Sequence, residues 1–322
     1  MPRVHVISLG GTIASTAPRP GSPTGVSPGL TGADLVAAVP QLSGIAEITT
    51  EQLAQVGSSS LTIDLVVDVA RAAARAVADG ADGVVVTQGT DTLEETAYLL
   101  SLLNAAERPV VVTGAMRNPT LAGADGPANL LAAVTAAADD ALAGVRAVVA
   151  FADELHDPLW VRKAHVASIA TFTSGPQAGP LGWVHEGAVR LGYRPEPAPP
   201  IALPDGPVPP VALVQASLGE DLRILDAVPG AGYAGVVIDG VGGGHVSADA
   251  VERVAALARQ LPVVLASRTG SGHMLARTYG YPGSEIDLLS RGLLSAGPLA
   301  GRKARLLLAL LLANDALATW PY

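Results

Sequence analysis

Three short stretches of this chain carry residue types that can move protons. In Ile7-Ser8-Leu9-Gly10-Gly11-Thr12-Ile13-Ala14 an apolar run ends in two glycines and a threonine. Val86-Thr87-Gln88-Gly89-Thr90-Asp91-Thr92-Leu93-Glu94-Glu95 is built the same way, with an aspartate between two threonines. The third stretch, Trp160-Val161-Arg162-Lys163-Ala164, holds one of only two lysines among 20 lysines and arginines. A chain that uses arginine wherever a fixed positive charge suffices has reason to keep a lysine where a proton must leave. The other lysine, Lys303 in Gly301-Arg302-Lys303-Ala304-Arg305, reads as an ordinary surface residue. A hydroxyl is a poor nucleophile until a base removes its proton. Thr12 as nucleophile, with Thr90, Lys163 and Asp91 as a relay in which Asp91 holds the lysine, divides the labour as a serine triad does. The plainer reading of Thr90-Asp91-Thr92 is that one of them caps a helix while Glu94 or Glu95 complements its dipole.

Such residues need elements that present them together. Short β-branched runs recur at 4–9, 84–87, 110–113, 145–151, 211–214, 236–239 and 263–267. Ala/Leu-rich stretches of helical spacing lie between many of them; the clearest, Ile63–Val77, opens at Thr62 as N-cap and closes at Asp79-Gly80. Alternating strands and helices predict an α/β fold with a mostly parallel sheet covered on both faces, so each Gly-Thr turn lies outside a strand's carboxyl end. Pro195-Glu-Pro-Ala-Pro-Pro200, followed by Pro204, Pro207, Pro209 and Pro210, supports neither helix nor central strand. It reads as a linker over 193–210, dividing an N-terminal domain (1–192) from a smaller C-terminal one (211–322).

Composition narrows the chemistry. The 322 residues are 49% hydrophobic and 15% charged, as expected of well-buried globular domains. The net charge of -9 argues against a nucleic-acid or anionic-membrane partner, since both need a basic face. Without cysteine there is no disulfide, thiol catalysis or Cys-based metal site, and the six histidines lack metal-like spacing. Gly240–Gly244 lacks the lysine of a P-loop. The longest Leu-rich run, 306–313, falls far short of the roughly 20 apolar residues of a membrane span. Val4 follows Met1-Pro2-Arg3 with no signal-like apolar region, so a cytoplasmic protein is expected.

At Ser8–Ala14 and Thr87–Ala97 the sequence resembles the bacterial-type L-asparaginase (asparaginase/glutaminase) family, and the likeness runs nearly end to end. Further matches are Gly57-Ser58, Val112–Arg117, Ala124–Leu130 and Lys303-Ala304-Arg305. The resemblance implies a larger N-terminal domain with a flavodoxin-like sheet and a smaller C-terminal α/β domain. It implies hydrolysis of L-asparagine to L-aspartate and ammonia through an acyl-enzyme on Thr12, without metal or cofactor, and possible action on glutamine. Thr90, Asp91 and Lys163 would then transfer protons, and Ser58 and Asp91 would hold the substrate's α-groups. Glu285 matches a carboxylate that reaches a neighbouring subunit's site in a homotetramer built as a dimer of dimers.

Departures from the family pattern are as informative. Its lid tyrosine has no counterpart, because the first tyrosine here is Tyr98 and residues 15–30 instead carry Pro18, Pro20, Pro23 and Pro28. Tyr279 and Tyr281, just before Glu285, are candidates to supply the missing phenol, or else pack an interface. Ser59 stands where glutamine is common, and His245, after three glycines, where asparagine is common; both bear on substrate binding. Two alternatives stay open: the amidase subunit of a tRNA-dependent amidotransferase, for which the expected extra N-terminal module has no room before Val4, and a non-catalytic amino-acid sensor, which would not need Lys163.

Overall fold

Strand runs such as Val84–Val86 and Val110–Val112 have no polar face to turn to water, so they are stable only with helices on both sides. The computed structural model, which describes residues 1–16, 25–196 and 199–322, buries both runs completely. The chain forms two compact units, Met1–Leu203 and Pro204–Tyr322.

In the first unit, β1 (Arg3–Gly10) is followed by α1 (Gly32–Ala37) and β2 (Glu47–Val56). Then come α2 (Ile63–Ala78), β3 (Gly83–Thr87), α3 (Leu93–Leu103), β4 (Val110–Thr113), α4 (Gly126–Ala138) and β5 (Ala147–Phe151). The strands β6 (Glu154–His156), β7 (Gly182–His185) and β8 (Ala188–Leu191) complete an eight-stranded sheet of order β8-β7-β6-β5-β4-β3-β1-β2. Its first five strands are parallel in the order 2-1-3-4-5, the flavodoxin-like arrangement, and β6 to β8 extend it antiparallel. The strand order reverses between β1 and β3, and ligands of such sheets bind at that switch point, beyond the strands' carboxyl ends. Ser8 of β1 lies in register with Thr87 of β3, so the loops bearing Thr12 and Thr90 leave the sheet side by side.

Local rules explain α2 well. The Thr62 hydroxyl accepts a bond from the Leu65 N–H at 3.1 Å, Val66, Val67, Val69, Ala70 and Ala73 form the buried stripe, and Asp79 ends the helix. The Pro-rich stretch begins along the first unit: the Arg194 guanidinium donates to the Ala141 and Ala143 carbonyls, and the Ile201 N–H donates to Leu102 at 2.8 Å.

The second unit is a four-stranded parallel sheet, β9 (Val211–Gln215), β10 (Gly235–Gly240), β11 (Val263–Ser267) and β12 (Leu294–Ser295), in that order. Its helices are α5 (Val251–Ala258), α6 (Glu285–Ser290) and α7 (Gly301–Ala313). Here one expectation fails. Lys303 is no surface residue but only 3% exposed, because α7 packs against β9, β10 and β11 and Lys303 is among the residues the helix buries. Among the described residues, no helix is long and apolar enough to cross a membrane.

Candidate active site

Gly10 and Gly11 decide where Thr12 sits. Both have positive φ (95° and 81°), which L side chains rarely adopt. A Cβ on Gly11 would lie 2.0 Å from the Gly89 backbone nitrogen, so only glycine lets the first loop rest on the second. The Gly11 N–H also donates to the Val56 carbonyl at 3.0 Å, tying the loop to the end of β2. Thr12 opens a short 3-10 turn, Thr12–Ala14, and is half-buried. The Ser15 hydroxyl fastens the turn by donating to the Gly11 carbonyl at 2.8 Å.

Thr90, Asp91 and Lys163 meet. The Lys163 Nζ donates to Thr90 Oγ1 at 2.8 Å and to Asp91 Oδ1 at 2.6 Å. Thr90 is buried, whereas the Asp91 side chain is 69% exposed and open to a ligand on its outer side. Ser58 is buried beside them: its Oγ accepts from the Asp91 N–H at 3.2 Å, and its carbonyl accepts from the Thr92 hydroxyl at 3.0 Å. Ser59, next along, is exposed. The capping expectation needs correction. Thr92 occupies the N-cap position of α3 but makes no side-chain cap, because its hydroxyl is committed to Ser58. Thr90–Thr92 form a 3-10 turn instead.

Several supporting residues were invisible to spacing arguments. Glu94 is 1% exposed and accepts the Lys163 backbone N–H at 2.6 Å. One six-residue stretch, 89–94, thus grips Lys163 at both ends, the ammonium through Thr90 and Asp91 and the backbone through Glu94. The Thr90 hydroxyl also meets the Met116 sulfur at 3.3 Å. Met116 is held in turn by Asp125, whose carboxylate accepts the Met116 and Arg117 N–H groups at 3.0 and 2.8 Å. Lys163 sits on a two-residue strand, Arg162–Lys163, paired antiparallel with Phe172–Thr173. Just before and after that ribbon, the buried His156 and Ser174 bond to each other, Nδ1 to Oγ, at 3.0 Å.

A second polar cluster lies in the C-terminal unit. Glu285, at the start of α6, is fully buried: Oε1 accepts the Thr278 and Tyr279 N–H groups, both at 2.8 Å, and Oε2 faces His245 Nε2 at 3.0 Å. Burial pushes its carboxyl pKa up, but the bonds from the Tyr279 and Thr278 amides, its own amide and His245 outweigh that and hold it below the ordinary value. The Tyr281 hydroxyl lies 2.7 Å from His245 Nδ1. Tyr279 and Tyr281 both meet the His245 ring edge-on, at 5.1 and 5.5 Å between centroids, and both are exposed. Among the described residues no group of three or more His, Cys, Asp or Glu could hold a metal. A cleft of about 320 Å³ opens at the opposite ends of β1 and β2, lined by Arg3, His5, Glu51 and Arg75, away from the threonine loops.

Residues 3–197 match the family described as Asparaginase, N-terminal, and residues 210–318 match the Glutaminase/Asparaginase C-terminal domain. The chain belongs to the asparaginase family. Among the relatives, a Haemophilus influenzae protein named as a probable periplasmic L-asparaginase is 35% identical over 318 residues, covering 97% of this chain and 89% of its own. L-asparaginase 2 of Escherichia coli is 35% identical over 319 residues with the same coverage. The crystal structure of a probable cytoplasmic L-asparaginase from Campylobacter jejuni superposes with a TM-score of 0.88 at 31% identity, covering 98% of this chain and 96% of that one. Against the asparaginase pattern, the proline-bearing lid lies partly outside the described residues, at Pro18, Pro20 and Pro23. Pro28 is described and pairs with Ser15 in a two-residue ladder.

Proposed function

We propose that this asparaginase-family chain hydrolyses L-asparagine to L-aspartate and ammonia through an ester on Thr12. The observation that carries the reading is the Lys163 Nζ bridging Thr90 and Asp91, beside a loop that Gly11 seats on Gly89. In the first step Thr12 Oγ attacks the carboxamide carbon, its proton passes to the departing nitrogen, and ammonia leaves. In the second, water attacks the ester and passes a proton to Thr90 as the Thr90 proton moves to Lys163 in its amine form, which Asp91 orients; the proton is returned to Thr12 Oγ as that oxygen leaves, and Thr12 is regenerated. An amino-acid substrate presents an ammonium and a carboxylate. The exposed face of Asp91 suits the first, and Ser58 with nearby loop N–H groups suits the second. Ser59 is short where the family often has glutamine, and a shorter substrate leaves less to position, so asparagine is the preferred amide and glutamine the slower one. We assign the working form to a homo-oligomer in which Glu285 serves a neighbouring copy.

Ammonia release from both amides tests this. Thr12→Ala and Lys163→Met are each expected to lose at least about 10³-fold in kcat, the scale seen when a nucleophile or its proton relay is removed. Wild-type turnover that survives in Thr12→Ala overturns the assignment.

A further inference from the structure

Sulfur chemistry in this chain is confined to methionine, because the sequence has three methionines and no cysteine. Met1 is 77% exposed at the start of the chain. Met274 packs against the core of the C-terminal unit, and its N–H donates to the Gly297 carbonyl at 2.8 Å. Among the described residues, Met116 is the methionine whose sulfur meets a hydroxyl of the threonine site. It is half-buried on the loop that leaves β4, and its sulfur lies 3.3 Å from Thr90 Oγ1. That oxygen accepts a bond from Lys163 Nζ at 2.8 Å, so its own hydrogen is left to point at the sulfur. A thioether is a weak acceptor and holds the hydrogen loosely.

The contact is built into the N-terminal unit. The Met116 and Arg117 N–H groups donate to the Asp125 carboxylate at 3.0 and 2.8 Å. The Asn129 amide, on α4, donates to the same carboxylate at 3.2 Å and to the Gly114 carbonyl at 3.0 Å. A Cβ on Gly114 would lie 2.4 Å from the Gln88 carbonyl oxygen and 3.4 Å from Thr90 Cγ2, so glycine seats this loop directly on the Thr90 turn. With its backbone fixed this way, Met116 keeps its thioether against Thr90 while part of the residue stays open to water.

We infer that Met116 is an oxidation site through which a hydroperoxide switches off Thr90. The inference rests on the reading above, in which the Thr90 hydrogen moves to Lys163 as the ester is hydrolysed. A sulfur lone pair attacks one oxygen of hydrogen peroxide, the O–O bond breaks, and a proton shift between the two oxygens releases water. Sulfur is oxidised by two electrons to the sulfoxide and the peroxide is reduced, with no proton gained or lost overall. The sulfoxide oxygen is a strong, charge-separated acceptor where the thioether was a weak one. It retains the hydrogen that Lys163 must receive, and it adds bulk at a contact already closed to 3.3 Å. Sulfoxide reductases return methionine sulfoxide to the thioether, so the block is reversible.

The test treats wild type, Met116→Leu and Met274→Leu with hydrogen peroxide and assays ammonia release from asparagine. Mass spectrometry follows the oxygen gained at each methionine over the same time course. Wild type and Met274→Leu should lose activity at the rate at which Met116 is oxidised. Their kcat should end roughly 100-fold down with KM little changed, the size of a lost proton-transfer contribution. Met116→Leu should keep its own untreated rate throughout, whatever that rate is, and methionine sulfoxide reductase should restore the wild type. If Met116→Leu is too slow to assay, the matched rates and the reductase recovery in wild type decide alone. Full turnover with Met116 oxidised, no oxygen gained at Met116 once Met1 is fully oxidised, or equal sensitivity in Met116→Leu overturns the inference and leaves the asparaginase reading standing. Untreated wild type that releases ammonia from neither amide sinks that reading, and the switch with it.

Discussion

His156 should make the protein lose stability in mild acid, before most carboxylates are protonated. Its ring is 1% exposed, and burial pushes its pKa from 6.5 down to about 4. Glu154 lies 3.4 Å from Nε2 and favours the charged ring, but its side chain is 40% exposed and screened by water, so desolvation prevails. Above pH 6.5 the ring is neutral whether folded or unfolded. As pH falls below that value, the unfolded chain takes up a proton that the folded chain refuses, and stability drops until about pH 4. At about 1.4 kcal/mol per tenfold change in proton affinity, the loss approaches 3 kcal/mol. His156→Asn keeps a polar atom near Ser174 but cannot titrate. Urea unfolding of both proteins between pH 7 and pH 4 isolates the effect, because carboxylates held low in both, such as Glu285 and Asp287, cancel in the difference. The gap between wild type and variant should shift by about 3 kcal/mol toward the variant as pH falls. Two stability curves that stay parallel from pH 7 to pH 4 would refute the reasoning.

Substitutions at Gly11 and Glu94 test the site, with Gly44 as a control. Gly11→Ala puts a methyl group 2.0 Å from the Gly89 nitrogen at a positive φ, so it should cost roughly 2 kcal/mol or more and abolish most turnover. Gly44→Ala, where an added Cβ meets nothing within 4 Å, should stay within about 0.5 kcal/mol of wild type by thermal unfolding. Glu94→Leu leaves the Lys163 N–H without its acceptor and should lower kcat at least tenfold with a cost of about 1–3 kcal/mol, whereas Glu94→Gln, which keeps an acceptor oxygen, should retain most activity. Equal kcat for Glu94→Leu and wild type would show that Lys163 is held without that carboxylate.

Much of this protein was written in local sequence. The all-apolar Val84–Val86 and Val110–Val112 runs could only be central parallel strands, Thr62 marked the start of a helix, and each glycine–threonine turn had to lie at a strand's carboxyl end. Those rules depend on neighbours in the chain, so they are legible there. What they could not reach depends on residues brought together from afar. Strand β2 escaped notice because it borders the sheet with one face to water and shows no apolar run. Thr92 bonded Ser58, 34 residues away, instead of capping its own helix. Lys303 looked like a solvated lysine until α7 was laid against its sheet, and nothing in the local sequence showed that Thr278, Tyr279 and His245 close around Glu285. Spacing announces which groups can react. Burial and hydrogen bonding among distant segments decide which of them stay charged, which are presented, and which only hold the others in place.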